Sequence, residues 1–267
     1  MVTTPNHGFQ LCNEWAESKH PKNAIAEVKY DGMMVLVEQG RLYNRNLRDE
    51  TFRFPEIQVH KDLVIVGEIV ILVNGISQFH LLARRMVDNP KEIRLRSRLY
   101  PATLIAFDVL EVNGQNFADD PLSKRRQVLE GLEHTKGLNG ACLVSGYWGC
   151  PAADVPGLLQ LMRDQMAEGI IVKDLDAPYK PSRGDAWLKL KAWAEKDFDI
   201  LSHEITENGG FVVWVENKGY RQRVVVNNPS LAQDIATSHT KKLTIRYLQE
   251  EPTGALRQAH VHGVPWH

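Results

Sequence analysis

The sequence predicts an α+β protein of antiparallel sheets with helices, followed by a small β-barrel. Three observations carry that reading. Short β-branched or apolar runs, split by Gly, Asn and Asp, fill the first half. Segments of helical period lie between them. Near Trp193 the texture changes to short alternating strands. At 267 residues the chain can bury a large core and form one or two domains. The boundary is expected at 192–196, giving domains 1–193 and 194–267.

In chain order, 24–30, 33–38, 41–43 and 63–72 read as strands, with Gln39-Gly40 turning a hairpin. Positions 78–86 read as a helix with Ser77 as its cap. A strand at 103–112 ends in the turn Asn113-Gly114. A helix at 122–132 has Pro121 near its start and a basic cluster on one face. A second amphipathic helix is expected at 155–166, then a strand at 170–173. Two prolines and a glycine make 176–185 a surface loop, and 187–192 a strand again. Beyond it, 198–203, 210–216, 222–226 and 243–249 have the rhythm of a small barrel, for which an OB-fold is a natural candidate.

No apolar run is long enough to span a bilayer, and the best of them, 63–73, holds Glu68. The first ten residues lack a basic region followed by an apolar stretch, so no secretory signal is read and a cytoplasmic protein is expected. Cys12, Cys142 and Cys150 form no C-x-x-C pair, which suits a reducing compartment and argues against a zinc ribbon. His239, His260, His262 and His267 have no Cys or acid cluster beside them and read as a frayed tail rather than a metal site.

The formal charge of −1 says little about partners, but its distribution says more. Positions 84 to 98 hold six basic residues against two acids. Lys124-Arg125-Arg126, Lys218 with Arg221 and Arg223, and Lys241-Lys242 with Arg246 form three further clusters. Charge runs usually make solvated faces. Separate basic patches on a neutral chain also suit a surface that meets a polyanion. Arg84, Arg85, Arg125, Arg126, Arg221 and Arg223 are the candidate contacts.

Lys29 lies between Glu27 and Asp31 at a strand end, just before an apolar run, and lysine is rarely placed there without a task. A surface lysine beside an Asp-Gly turn is the plain alternative. Other stretches weigh against it: Gly67-Glu68, Phe107-Asp108, Glu168 through Lys173, and Trp187 through Lys191. Together they offer a nucleophile, two carboxylates, an aromatic face and several cations. Nucleotidyl transfer to an amine needs that inventory. A nucleotide phosphorus is shielded by negative oxygens, so attack on it needs cations. Lysine attacks only as the free amine, a form that nearby cations favour. Two carboxylates suit Mg²⁺ (or Mn²⁺), and Phe107 could stack on a purine or simply pack in the core. An unpaired carboxylate such as Glu68 within an apolar strand is costly.

The order and spacing of these stretches resemble the covalent nucleotidyltransferases, and most closely the ATP-dependent DNA ligases. Lys29-Tyr30-Asp31-Gly32 resembles the nucleophile motif K-x-D-G, and Tyr43-Asn44-Arg45-Asn46 the sugar-contacting element. Gly67-Glu68 is similar to the metal-binding motif, and Phe107-Asp108 with Asn113-Gly114 to the adenine-stacking motif. Glu168 to Lys173, Arg183, and Trp187 to Lys191 are similar to the fourth and fifth motifs. The resemblance implies a nucleotidyltransferase (ATP-grasp-like ligase) domain and an OB-fold domain whose last strands hold Ile245 to Leu248 and Gly254 to Arg257. It implies ATP and Mg²⁺ (or Mn²⁺) as cofactors and nicked double-stranded DNA as partner, in a monomer.

It also implies roles. Lys29 forms a phosphoramide with AMP, Glu27 faces adenine, and Arg45 holds the sugar. Glu68 and Glu168 organise metal and ribose, and Phe107 stacks on the base. Lys173, Arg183, Lys189 and Lys191 meet phosphates. An RNA ligase or RNA-capping guanylyltransferase shares K-x-D-G, and a non-catalytic nucleic-acid-binding protein is a third reading. Two positions depart from the family: Met34 stands where arginine is common, and no Lys or Arg follows Arg257. With 26 residues before Glu27, the chain reads as a minimal ligase.

Overall fold

The computed structural model describes residues 5–133, 138, 140–237, 239–251 and 253–265. The chain divides into two compact units, Met1–Leu190 and Lys191–His267.

In the first unit the strands are β1 (Leu11–Glu14), β2 (Ala24–Val28), β3 (Met33–Glu38), β4 (Arg41–Asn44), β5 (Leu63–Val70), β6 (Leu72–Val73), β7 (Ile76–Ser77), β8 (Thr103–Val112), β9 (Gln115–Asn116), β10 (Cys142–Val144), β11 (Tyr147–Gly149), β12 (Gly169–Asp174) and β13 (Arg183–Lys191). Its helices are α1 (Phe79–Arg85), α2 (Pro90–Leu99), α3 (Leu122–Glu133) and α4 (Val155–Asp164). One sheet runs β10-β8-β5-β3-β4, with β9 on β8, and a second runs β1-β13-β12-β2-β11. Antiparallel pairing dominates, but β10 joins β8 in parallel and β1 joins β13 in parallel, so both sheets are mixed. The first exception follows from connectivity: α3 carries the chain back over the sheet between β8 and β10, the crossover a parallel pair requires.

The first sheet is buried on both faces. Val35, Val37, Ile65 and Ile69 pack with Leu82 of α1 and Leu129 of α3. The alternate residues Leu36, Val64 and Val66 pack with Trp187 and Ile171 from the second sheet. That double burial is why 63–70 reads as a nearly continuous apolar run, and each such side chain contributes about 1.5–3 kcal/mol. The helix-covered face and the sheet-covered face make two cores, and the strand ends between the two sheets carry the charged residues. The hairpin of β3 and β4 turns through Gln39 and Gly40, both left-handed (φ 53° and 71°), as a two-residue turn demands.

In the second unit the strands are β14 (Ala194–Asp199), β15 (Ser202–Ile205), β16 (Phe211–Asn217), β17 (Tyr220–Val226), β18 (Lys242–Tyr247), β19 (Gln249–Glu250), β20 (Leu256–Arg257) and β21 (His260–Gly263). They form sheets β14-β18-β21, β15-β16-β17 and β19-β20, with α5 (Pro229–Ala236) between β17 and β18. Phe198, Val213, Val224, Leu231 and Ile245 share its core.

Several elements differ from expectation. Ser77 does not cap α1: it ends β7, and Gln78 holds the cap position without a side-chain bond. The sequence reading missed α2, which Asn89 caps by accepting from the Lys91 and Glu92 N–H groups, with Pro90 in the first turn. It also missed α5, capped in the same way by Asn228. The histidine segment is not frayed where it is described: β21 pairs Val261 with Ile245, and Val261 packs on the core. His267 lies outside the described residues.

Candidate active site

Lys29 follows β2, and its N–H donates to the Gly169 carbonyl (2.8 Å), tying it to the start of β12. Its Nζ donates to Glu168 Oε2 at 2.5 Å. The two side chains are 21% and 6% exposed, so the lysine is reachable and the acid is its floor. The next two residues explain the K-x-D-G spacing. The Asp31 N–H donates to Ser77 Oγ (3.1 Å), which pins the turn. Gly32 presses on β5: a Cβ there would overlap the Ile69 carbonyl oxygen and stand 2.8 Å from Val70 Cγ1. Only glycine lets the Lys29 turn lie on the strand that carries Glu68.

Burial pushes the Glu68 carboxyl up to about 8; Lys29 opposes this, Glu168 and Asp31 add to it, and Arg45 opposes it from an exposed position past β4. Ionising Glu68 beside Glu168 and Asp31 would leave surplus negative charge there, which a cation would relieve. Among the described residues no group of three or more His, Cys, Asp or Glu side chains forms a metal cage. Two carboxylates without a cage fit Mg²⁺, which keeps much of its water. Directly across from Glu68 in the β3–β5 register stands Met34, on the same face.

A second cluster lies further along β2. Glu27, 2% exposed, accepts from Arg126 Nη1 through Oε1 (3.1 Å) and from Lys173 Nζ through Oε2 (2.8 Å). Lys173 also donates to the Phe107 carbonyl (3.3 Å) and lies over the rings of Phe107 (4.4 Å) and Trp187 (4.6 Å). Trp187 meets Phe107 edge to face at 5.7 Å. Ile171 stands opposite Glu27 in the β12–β2 register. An aromatic ring, an aliphatic neighbour and a carboxylate with spare lone pairs thus lie on one side of the second sheet.

Burial pushes the Cys12 thiol up, and Lys173, Lys29, Lys189 and Arg183 oppose it in that order. Four of the cations named from the sequence therefore act on one thiol. Lys189 pairs with Glu14 (3.0 Å), and Arg183 donates to the Cys12 carbonyl. Lys191, the last residue of β13, falls in the second unit, where its Nζ donates to Gln258 Oε1 (2.8 Å).

The expected DNA contacts need correction. Arg85 is fully buried, with Nη1 on Glu56 and on the Tyr100 carbonyl. Arg125 is fully buried in a two-bond pair with Asp108, both contacts 2.8 Å. Arg126 is 4% exposed and holds Glu27. Buried guanidinium groups already spent on carboxylates cannot meet a DNA backbone. Lys173, 2% exposed and bound to Glu27, is likewise not available to a phosphate as it stands. Arg84, Arg221 and Arg223 are exposed; Arg84 donates to the Tyr100 hydroxyl, and the other two face Glu216 and Glu204. The sequence reading missed the roles of Ser77 and Arg126. No local signal marks either, since each acts on a residue far away in the chain.

A family model described as the ATP dependent DNA ligase domain matches residues 9–191. A probable DNA ligase of Streptomyces coelicolor is 31% identical over 194 residues, covering 68% of this chain and 37% of that protein. The SPbeta prophage-derived DNA ligase-like protein LigB of Bacillus subtilis is 26% identical over 222 residues, covering 76% of this chain and 77% of LigB. The chain spans only 37% of the length of the Streptomyces protein and of a Methanoculleus marisnigri DNA ligase. Among solved structures, one from a structure-function study of Lig E DNA ligases superposes with a TM-score of 0.74 at 18% identity, covering 97% of this chain and 99% of that one. The ligase domain of M. tuberculosis LigD superposes at 0.57 and 20% identity, covering 97% and 95%. At these identities the solved structures speak for the fold.

Proposed function

The chain belongs to the family of ATP-dependent DNA ligase domains, and on that footing we propose that it seals nicks in duplex DNA through an adenylated Lys29. The observation that carries this is Lys29 itself, held against Glu168 and brought onto the Glu68 strand by Gly32. In the first step Nζ attacks the α-phosphorus of ATP; an N–P bond forms, and the bond to pyrophosphate breaks. The 5′-phosphate of the nick then takes the adenylyl group as the P–N bond breaks. Finally the 3′-hydroxyl attacks that activated phosphate, and AMP leaves.

Attack needs the free amine of Lys29, and Glu168, which accepts from Nζ, is placed to receive the proton that the amine sheds. Glu68 and Glu168 would hold Mg²⁺ or Mn²⁺, which supplies positive charge to the phosphate oxygens. Phe107 and Ile171 would bracket the adenine, with Glu27 accepting from its amino group. Arg45 would meet the sugar, and Arg183 and Lys189 the phosphates. The second unit reads as an OB-fold: its two three-stranded sheets share one core, with a helix between β17 and β18. The protein is read as a monomer.

Incubation with Mg²⁺ and ATP should add one adenylyl group by mass, Lys29→Ala should abolish it, and nicked duplex DNA should discharge it. No adduct with ATP, from protein first stripped with pyrophosphate, sinks the covalent mechanism. Discharge by nicked RNA alone would move the protein to the RNA-ligase reading.

A further inference from the structure

Helix α2 carries a stripe that neither the core nor the lysine site uses. Lys91, Arg94, Leu95, Arg98 and Leu99 fall at i, i+3, i+4, i+7 and i+8, one face of the helix, and all five are exposed. Leu95 is 54% and Leu99 59% exposed, where a helix of this period ordinarily turns its leucines inward. The buried side is Ile93 alone. Among the described residues Lys91, Arg94 and Arg98 have no ion pair, whereas Arg96 is taken by Glu92 and the Arg84 carbonyl. The arginines expected from the sequence to meet DNA are, by contrast, buried or already facing other groups.

The stripe is also linked, through α1, to the turn that holds Lys29. Helix α1 starts two residues after Ser77, whose Oγ accepts from the Asp31 N–H. Its last residue, Arg85, is fully buried and bonded to the Tyr100 carbonyl at the end of α2. Seven residues of α1 span about 10 Å, so α2 is hung one short helix from the lysine turn.

We propose that this face of α2 is a docking surface for the duplex beside the nick. Lys91, Arg94 and Arg98 take backbone phosphates, and Leu95 and Leu99 lie against the sugar edges. From Lys91 to Arg98 the helix rises about 10 Å, and one DNA strand offers a charge about every 3.4 Å, enough for three cations. The choice of DNA over an acidic protein rests on the proposed function, because a nick must come to Lys29.

The full-length protein with Lys91→Ala, Arg94→Ala and Arg98→Ala together is compared with wild type on a fluorescent nicked duplex. Binding is read by anisotropy between 50 and 200 mM salt, sealing by gel, and Lys29 adenylation by mass. The expected result is a slope of log affinity against log salt smaller by about 3, binding at least tenfold weaker, and an unchanged yield of adenylated lysine. Arg94→Lys with Arg98→Lys should restore most of the binding, and Leu95→Ser with Leu99→Ser should weaken it without changing the slope. Equal affinity and equal slope for the triple variant overturn the proposal, including the outcome in which the face serves a protein instead. Absence of any adduct in wild type would instead overturn the ligase reading, while the anisotropy still judges the surface.

Discussion

Glu68 lies on β5 between β3 and β8 and has two acids nearby, so its ionisation is opposed. In the metal-free protein its folded pKa of about 8 exceeds the ordinary 4.5. Between those values the folded state keeps a proton that the unfolded chain has lost, so this group's contribution to stability falls as pH rises, and the loss is complete above about 8. Glu68→Gln cannot ionise. In EDTA the variant should match wild type near pH 4 and be the more stable of the two at pH 9, by urea midpoints. A wild type more stable than the variant at pH 9 would contradict the cost of ionising Glu68 there. Glu68 was legible in the sequence because a lone acid interrupts an apolar strand. The partner of Glu27 was not, because Arg126 stands 99 residues away and only the fold brings it there. Ser77 was misread for a related reason: its position suits a cap, but its hydroxyl serves a turn 46 residues earlier.

Element by element, α3 shows how a cluster on paper comes apart in space. Successive helical residues are rotated by about 100°, so Lys124-Arg125-Arg126 cannot share a face. Lys124 is exposed, Arg125 turns to Asp108 on β8, and Arg126 turns to Glu27 on β2. The helix is thereby bolted to both sheets. Arg125→Met leaves Asp108 buried without its cation and should cost about 3–5 kcal/mol in denaturant unfolding. Adding Asp108→Leu should recover much of that loss, since the pair is then replaced by packing. DNA affinity per folded molecule should stay at the wild-type value. The long strands of the first sheet were legible from their apolar runs. The short strands β1, β10 and β11 were not, since their three or four residues carry no period and owe their place to their neighbours.

For the molecule as a whole, the two compact units each keep buried residues of their own. Ile245, fully buried, joins β14 to β21 through β18 in the second unit. Leu104, fully buried, lies on β8 in the first unit. Separate cores predict that the chain does not melt as one two-state block. Calorimetry should resolve two steps with enthalpies of roughly 130 and roughly 50 kcal/mol, in proportion to the lengths of the units. Ile245→Ala removes packing worth about 2–5 kcal/mol and should lower the smaller step by about 10 °C or more, with the larger step unmoved. Leu104→Ala should do the reverse. In each variant, adenylation of Lys29 should be lost on heating together with the larger step, because Lys29, Glu68 and Glu168 all lie in the first unit. A single step lowered by both substitutions would mean that the two cores melt as one, and the division would then be one of contacts and not of stability.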